Sequence, residues 1–406
     1  MTTQATPPTS ATRALSSEAL GLTLDPFEPE RFFDEYWEQR PLVVARGEDA
    51  RFDSLLAPAD VERLVCETGL RVPAFRLVKE GAQLPLSTYT EDIRWRPGSF
   101  SGTAVVERVA DEFANGATLV LQALQLYWPA AALYCRDLEK LLGCPVQANA
   151  YHTPADARGF AVHHDTHDVF ILQVAGRKRW RVYEPVLELP LKDQRWSPEL
   201  GDPGEPIQDL VLEAGDTLYL PRGWPHEATT SEDESLHLTI GMHPQTRLEA
   251  LRSALESCAE DHVEFRRSLT PGGEVPDELV ERLATRLDPD ELARRLRRRF
   301  VAGRRPILHD QLAQVRALDG LSLADPVERR ATVICEFEET AEGYALLLFE
   351  GKELRFPAHV ADAVRAAVEL PGPFTAAELP GSLDEAGRLV LVRRLVREGF
   401  LRFADL

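Results

Sequence analysis

The chain has 406 residues, of which 44% are hydrophobic and 28% are charged, values typical of a soluble globular protein with two or three domains. No apolar run is long enough to span a bilayer, and the formal net charge of −20 argues against binding to nucleic acid or to a membrane surface. This charge favours basic partners, such as a basic polypeptide substrate, although solubility alone also accounts for it.

The amino-terminal 24 residues differ in composition from the rest of the chain. Their first part is rich in Thr, Ser, Pro and Ala and lacks the basic start and the apolar core of a signal peptide. We therefore predict a disordered tail over residues 1–24 and a cytoplasmic protein. The five cysteines form no CxxC pair, which predicts neither a disulfide framework nor a zinc site.

Residues 25–245 hold all six tryptophans and seven of the ten histidines, so we expect the chemistry in this region. Helical spacing of apolar residues predicts helices in its first part, each paired with a strand or a turn, over residues 25–46, 105–124 and 128–143. From Val146 onward, short strand-like segments are separated by turns at Gly176 and Gly215-Asp216. Such a run of short strands predicts a barrel or a sandwich.

The pattern becomes helical after Pro244, and three helical segments are predicted within residues 246–325. The third segment starts at a cap formed by Asp288 or Asp290 and ends at Gly303. Its arginine cluster over 294–299 is interpreted as a solvated helix face rather than as a nucleic-acid site.

The last segment, residues 326–406, opens with strands and continues as helix, short helix, helix and strand, the order of a winged-helix unit. Winged helices often bind DNA, but this segment carries 10 Lys and Arg against 14 Asp and Glu. That balance argues against a surface that contacts phosphates. We interpret the segment as an interaction or lid module and keep DNA binding as the alternative.

Candidate metal ligands lie in the stretch "FAVHHDTHDVF". His163 and Asp165 are two residues apart, and on a strand such residues project from the same face. His226 follows a strand and a rigid turn rich in Pro and Gly, so it is the expected third ligand. Two histidines and one carboxylate leave three positions of an octahedral Fe(II) open, as in non-haem iron oxygenases.

A cofactor for this metal is predicted from the next strand. 2-Oxoglutarate would chelate the metal through its keto acid, and its far carboxylate would then need a buried cation. Lys178 shares the inward face of its strand with Trp180 and is the candidate for that cation. Tyr151 and Asn149, two apart on "QANAY", are expected to add hydrogen bonds to the cofactor.

The other polar residues near this site receive structural interpretations. His164 and His167 alternate away from the ligand positions and are predicted to be non-ligands, and Asp168 is predicted to be structural. His237 and His243 are assigned to core packing or to substrate contact. A purely structural His163–Asp165 pair, and a surface role for Lys178, are the alternatives to the metal site.

Several segments of the chain resemble the ribosomal oxygenase group of the JmjC oxygenases. They are "YWEQRPLVV", "NAYHTP", "HHDTHDVFILQVAGRKRW", "GDTLYLPRGWPHEA" and "SLHLTIG", in the same order and at similar spacing. The resemblance implies an α+β fold with a double-stranded β-helix (cupin) barrel over residues 25–245. It also implies a helical dimerisation region over 246–325, a winged-helix domain over 326–406, and a homodimer.

The same resemblance implies Fe(II) held by His163, Asp165 and His226, and 2-oxoglutarate held by Lys178 and Tyr151 with Asn149 beside them. The implied reaction is hydroxylation of an arginine or histidine side chain in a basic ribosomal protein, and "NAYHTP" and Lys178 look nearer to the histidine-modifying members. The residues leave three alternatives open: hydroxylation of a peptide natural product, a demethylase, and a non-catalytic cupin adaptor.

Overall fold

The computed structural model describes residues 17–157, 161–230, 233–340 and 342–406. The chain separates into one unit that ends at Pro244 and another that starts at Gln245. The helices of the first unit are α1 (Glu18–Leu24), α2 (Pro29–Glu35), α3 (Pro58–Glu67), α4 (Leu86–Tyr89), α5 (Val106–Ala114) and α6 (Pro129–Leu142). Its strands are β1 (Leu42–Val44), β2 (Phe75–Lys79), β3 (Ala82–Gln83), β4 (Thr90–Trp95), β5 (Gly98–Ala104), β6 (Thr118–Leu121), β7 (Val146–Thr153), β8 (Asp168–Gly176), β9 (Lys178–Val182), β10 (Gln208–Leu212), β11 (Thr217–Leu220), β12 (His226–Thr229) and β13 (Ser235–Met242).

Two antiparallel sheets form the body of the first unit. The larger one has the strand order β1-β11-β8-β13-β7-β6-β2-β3, and the smaller one has the order β10-β9-β12. A buried cluster of side chains from both sheets packs between them, with Val169 and Ile171 of β8 against Trp180 and Val182 of β9. The two sheets therefore form the barrel that the run of short strands predicted, and α6 packs on its outside, next to β7.

Strand β8 explains why so apolar a segment follows the histidine-rich stretch. Val169 and Ile171 face the smaller sheet, while Phe170 and Leu172 face the main core. Both faces of the strand are therefore buried, and a continuous aliphatic run is favoured over an alternating one. Strand β9 has buried residues at 178, 180 and 182 and exposed arginines at 179 and 181, as its alternating sequence predicts.

Gly176 is the last residue of β8, pairs with Ser235, and is separated by one residue from β9, which belongs to the other sheet. Its φ of +63° lies in the left-handed region, and a Cβ atom there would come within 1.7 Å of the Glu234 carbonyl oxygen. Only glycine fits this position without a backbone shift. The chain therefore passes at Gly176 from one sheet to the other, directly before Lys178.

The second unit contains helices and two small sheets around its own core. Its helices are α7 (Arg247–Asp261), α8 (Asp277–Ala284), α9 (Pro289–Ala302), α10 (Gln311–Ala317), α11 (Ala361–Glu369) and α12 (Glu385–Arg397). Its strands are β14 (Pro326–Arg329), β15 (Cys335–Glu339), β16 (Tyr344–Phe349), β17 (Lys352–Pro357), β18 (Phe374–Thr375) and β19 (Leu401–Phe403). Asp288 caps α9, and the arginines of this helix pair with Glu291, Glu336 and Glu338, as expected for a solvated face.

The predicted disordered tail is wrong for its last part, because Glu18–Leu24 is helix α1. The Ser17 side chain caps this helix, and the Asp137 carboxylate accepts a hydrogen bond from the Ala19 amide at 2.9 Å. Leu20 and Leu24 are fully buried, so apolar residues at helical spacing override the polar composition around them. Residues 1–16 of the predicted tail lie outside the described residues.

Across the described ranges, no helix combines the length and the apolarity that crossing a bilayer requires. All five cysteines are free thiols, as their spacing predicted.

Candidate metal centre

Two segments that are far apart in sequence meet at the mouth of the barrel. The backbone amide of His163 donates to the carbonyl of His226 at 3.1 Å, and the amide of His226 donates back to His163 at 2.8 Å. The amide of Gly223 donates to the Asp165 carbonyl at 3.0 Å. These main-chain bonds align the two segments, so that the side chains of His163, Asp165 and His226 face one another.

The three side chains form a compact set of donors. One ligand atom from each of His163, Asp165 and His226 lies within 4.8 Å of the others, and within the described residues this is the one such group of three or more. The Nδ1 atom of His163 donates to the Ala161 carbonyl at 2.8 Å, and that of His226 donates to the Trp224 carbonyl at 3.0 Å. With Nδ1 occupied in both rings, the Nε2 atoms are left to bind a metal.

The electrostatics of the site favour the protonation states that metal binding needs. Burial, aided by the nearby His163, lowers the pKa of His226 to about 4, so its imidazole is neutral at pH 7. Burial opposes the ionisation of Asp165, but the charges of His167, His226 and His163 outweigh it and lower the pKa of the carboxyl. A neutral imidazole and a carboxylate are the forms that donate electron pairs to a metal.

His163 and Asp165 were expected to share the face of a strand, but both lie before the strand that follows them. Strand β8 starts at Asp168, and His163 belongs to an isolated bridge with His226. The convergence of the two side chains therefore depends on the pairing of His163 with His226 and on Gly223, and not on the two-residue repeat of a strand.

A cavity of about 270 Å³ opens from the three side chains into the barrel. It lies between the two sheets, and its lining comprises Arg76, Tyr151, His163, Asp165, Val169, Ile171, Trp180, His226, Ala228, His237 and Thr239. Two of its polar atoms, Trp180 Nε1 and His237 Nδ1, are buried and have no hydrogen-bond partner among the described residues. Buried polar atoms without partners are costly, so they indicate that this cavity is built to hold a polar ligand.

Lys178 lies on the inward face of β9, in the same part of the barrel, with 3% of its surface exposed. Its ammonium donates to Thr153 Oγ1 at 3.0 Å, and it forms no ion pair with any described residue. Burial lowers the pKa of Lys178 to about 7. A buried cation that lacks a counter-ion favours an anionic ligand.

One row of residues across the larger sheet lines a wall of the cavity. Strand pairing places Arg76 opposite Val120, Val120 opposite Tyr151, and Tyr151 opposite His237. The rings of Tyr151 and His237 stack with centroids 5.0 Å apart. The pKa of Tyr151 is raised to about 12, mainly by burial and also by the charge of Asp165, while the charge and the hydrogen bond of Arg76 oppose this rise.

Sequence reasoning missed Arg76 and Thr153. Thr153 continues the inward face of β7 two residues after Tyr151, so the alternation of that strand was a usable signal. Arg76 interrupts the apolar strand β2, and no motif marked it. His237 had been left between core packing and substrate contact, and the structure places it in the cavity wall.

The remaining candidates lie around the cavity. Asn149 is outside the lining, and its side-chain oxygen accepts hydrogen bonds from the Ala123 amide and from Gln147. Its role in binding the cofactor stays a prediction. The side-chain NH2 group of Asn149 is still available as a hydrogen-bond donor for that role. His164 donates to the Gln194 carbonyl at 3.1 Å, and His167 stacks on His243 with centroids 4.6 Å apart, so neither joins the three donors.

Asp168 is structural, as predicted. It is fully buried and accepts hydrogen bonds from Tyr219 at 3.2 Å and from both the backbone amide and the guanidinium of Arg222, at 3.1 and 3.0 Å. Arg222 also pairs with Glu38. This network holds the turn that leads into His226.

Replacing Asp168 with alanine is expected to lower the free energy of unfolding by about 3 kcal/mol, because it removes one partner of a buried ion pair. The matched control, Asp209→Ala, removes an exposed pair with Arg179 and should cost about 1 kcal/mol or less. Urea unfolding followed by tryptophan fluorescence reports on this unit, since all six tryptophans precede residue 245. Equal losses in the two variants would contradict the assigned role.

Comparisons with known proteins identify related sequences. Residues 125–250 match the family described as JmjC domain. Ribosomal oxygenase 1 of Gallus gallus is 31% identical over 265 residues, which are 63% of this chain and 43% of that protein. The bifunctional lysine-specific demethylase and histidyl-hydroxylase NO66 of Drosophila mojavensis is 32% identical over 261 residues, 62% of this chain and 28% of that protein. The chain thus spans less than half the length of these two relatives.

A similar fold occurs among solved structures. YcfD, a ribosomal oxygenase from Escherichia coli solved in complex with cobalt and 2-oxoglutarate, superposes with a TM-score of 0.55 at 20% identity. The match covers 94% of this chain and 99% of that chain. The JmjC, cupin-type fold with antiparallel sheets and flanking helices is therefore confirmed.

Proposed function

We propose that this chain, whose residues 125–250 match the JmjC domain, is an Fe(II)- and 2-oxoglutarate-dependent oxygenase that hydroxylates an amino-acid side chain of a polypeptide. One observation carries the proposal. A cavity has two imidazoles and a carboxylate at its mouth and His237 in its wall, and the charge of buried Lys178 acts on that histidine. Among the described residues, this lysine has no counter-ion. This pairing suits a metal and a dicarboxylate together.

The donor set fits the proposed metal. His163, Asp165 and His226 offer two nitrogens and one oxygen from one side, and such a facial set leaves positions for further ligands. Fe(II) with 2-oxoglutarate would supply the oxidation, in which the keto acid becomes succinate and carbon dioxide while one oxygen atom of dioxygen enters the substrate.

The residues of the chain bind and orient these groups. Lys178 would neutralise the far carboxylate of 2-oxoglutarate while Thr153 holds its ammonium in place. Tyr151 and the unpartnered nitrogens of Trp180 and His237 offer hydrogen bonds along the path from that lysine to the metal ligands. Val169 and Ile171 make the cavity wall apolar and limit the access of water.

The direct test of the proposed function combines turnover with product analysis. The purified chain, loaded with Fe(II), is expected to convert 2-oxoglutarate to succinate and to add one oxygen atom to a protein in an extract of ribosomal proteins, detected by intact-mass analysis. Release of formaldehyde would instead indicate demethylation. A complete absence of metal-dependent succinate formation would leave the non-catalytic adaptor as the better interpretation.

The substrate is proposed to be a basic protein of the ribosome, with arginine or histidine as the modified residue. The relatives support this class, since one is named ribosomal oxygenase 1 and the other histidyl-hydroxylase. The strongly acidic composition of the chain supports a basic partner on electrostatic grounds.

We also propose that residues 246–325 mediate a homodimer and that residues 326–406 form a winged-helix domain. The helical region exposes many large apolar side chains, namely Leu251, Leu255, Val263, Leu269, Val275, Val280 and Leu287. Exposed apolar residues in such number favour a protein interface. The order of α11, a short helical turn, α12 and β19 supports the winged-helix assignment.

The dimer proposal predicts that the double variant Leu251→Glu with Leu255→Glu becomes a monomer. The two leucines are one helical turn apart on α7, and burying two added carboxylates in an interface would strongly disfavour association. Light scattering should give twice the mass of one chain for the parent and the mass of one chain for the variant. Val390→Glu, which changes an exposed residue of α12, serves as the control and should stay dimeric. A monomeric parent would contradict the proposal.

A further inference from the structure

A second cavity, of about 800 Å³, adjoins the metal cavity. We call it the groove and define it by six of its lining residues, Glu80, Ala161, Trp196, Asp202, Glu227 and Ala228. Ala228 lines both cavities, and Ala161 lies two residues before the candidate ligand His163. A chain bound in the groove would therefore lie directly beside the metal centre.

The long connection between β9 and β10 forms one wall of the groove and contributes Trp196 and Asp202. It is attached to the backbone that carries the candidate ligands at two points. His164 donates to the Gln194 carbonyl, and its ring meets Trp196 edge-on with centroids 5.4 Å apart. Gly223 approaches Leu187 so closely that a Cβ atom would lie 2.5 Å from the Leu187 carbonyl oxygen. The wall therefore has a defined position relative to the metal site.

The groove presents more negative charge than positive charge. Its one arginine, Arg181, is exposed and is already matched by Asp209 and Glu227. In the described part of the chain, neither Glu80 nor Asp202 takes part in an ion pair. The whole unit is acidic as well, with 37 Asp and Glu against 22 Lys and Arg over residues 1–244.

An aromatic face beside these carboxylates adds a second feature that selects for cations. Trp196 is partly buried and lines the same groove as Glu80 and Asp202. Tryptophan attracts arginine and lysine more strongly than the other aromatic side chains do, and nearby carboxylates add charge complementarity. The two features together match the side chain of an arginine or a lysine.

We infer that the groove binds a cationic segment of the polypeptide substrate, with an arginine or lysine side chain against Trp196 and with Glu80 and Asp202 as its counter-charges. A neighbouring residue of the same segment then reaches the metal cavity past Ala228. This inference rests on the proposed function, because it assigns the substrate class of the same site. It makes Trp196, Glu80 and Asp202 specificity-determining residues that are separate from the metal ligands.

The experiment measures binding of two fluorescein-labelled peptides to the full chain loaded with Mn(II). One peptide has a central histidine flanked by arginines, and its matched partner has glutamines in place of the arginines. Fluorescence anisotropy is expected to show tighter binding of the cationic peptide and a preference that weakens as salt is added. Trp196→Leu should weaken cationic-peptide binding about tenfold, and Glu80→Gln combined with Asp202→Asn about three- to tenfold.

Matched controls separate the groove from general effects. Trp95→Leu removes an exposed tryptophan outside the groove, and Glu213→Gln removes an exposed acid outside it, so both should bind as the parent does. Should Trp196→Leu fail to fold, Trp196→Phe keeps an aromatic ring and is expected to lose less affinity. Calorimetry with 2-oxoglutarate checks that the adjoining cavity is intact in each variant.

The outcomes distinguish this inference from the proposed function. Parent-like binding of the cationic peptide by the groove variants, or equal affinity of the parent for both peptides, would overturn the inference and leave the metal centre intact. Failure of the parent to bind 2-oxoglutarate in the presence of metal would overturn the proposed function, even with the peptide preference retained.

Discussion

Replacing Asp165 with alanine is expected to remove metal binding and, with it, all metal-dependent turnover of 2-oxoglutarate. Asp165 supplies the one carboxylate among the three donors, and its pKa is held low by the surrounding histidines. Loss of residues that merely support metal ligands commonly costs about 10- to 100-fold in metal affinity. Loss of a ligand should therefore cost more than about a hundredfold.

The measurement is calorimetric titration with Mn(II), followed by succinate formation with Fe(II). Asp53→Ala, which changes an exposed aspartate away from the cavity, is the control and should keep the parental affinity. An Asp165→Ala protein that bound metal with parental affinity would show that the three side chains form a structural cluster, as the alternative interpretation of the sequence held.

Replacing Lys178 with methionine should produce the second large effect, a loss of about 30- to 5,000-fold in affinity for 2-oxoglutarate. The lysine is buried, and truncating one partner of a buried charge pair costs roughly 2–5 kcal/mol. A 2-oxo acid that lacks the far carboxylate, such as pyruvate, should bind the parent and the variant equally weakly. Lys192→Met changes a lysine that is exposed, and it should leave the affinity for 2-oxoglutarate unchanged.

Because burial lowers the pKa of Lys178, the affinity for 2-oxoglutarate is expected to depend on pH. Without ligand, burial sets the pKa of this lysine at about 7, so the ammonium loses its proton as the pH rises above that value. A bound dicarboxylate favours the charged form of Lys178, so the binding of 2-oxoglutarate above pH 7 is accompanied by the uptake of a proton. The affinity for 2-oxoglutarate should then fall with rising pH, by up to about tenfold per pH unit.

Calorimetry across this pH range tests the assignment of the titrating group. The decline should disappear in Lys178→Met, which has no ammonium to titrate. A decline that persisted in the variant would assign the pH dependence to another group, and an affinity that increased with pH in the parent would contradict the pairing with Lys178.

Much of the barrel could be predicted because burial follows the periodicity of its strands. Lys178, Trp180 and Val182 alternate with exposed arginines, and Gly176 marks the end of β8. The region between residues 47 and 104 yielded no predicted elements. Its hairpin of β4 and β5 exposes both faces, so no apolar periodicity marks these strands. Helix α1, before this region, was not predicted because the segment that precedes it is polar.

The candidate ligands could be named from residue type and spacing, and the buried lysine from the alternation of its strand. How these side chains meet depends on tertiary contacts. The pairing of His163 with His226 and the approach of Arg76 to Tyr151 across β6 are contacts between distant segments. The carbonyls that occupy Nδ1 of each histidine ring are local, two residues before it, but the backbone conformation that brings them there is not written in the strand alternation. The groove beside the metal centre has the same origin, since Glu80, Ala161 and Trp196 come from three separate segments. Local periodicity records which face of an element is buried, whereas such contacts depend on the packing of one element against another.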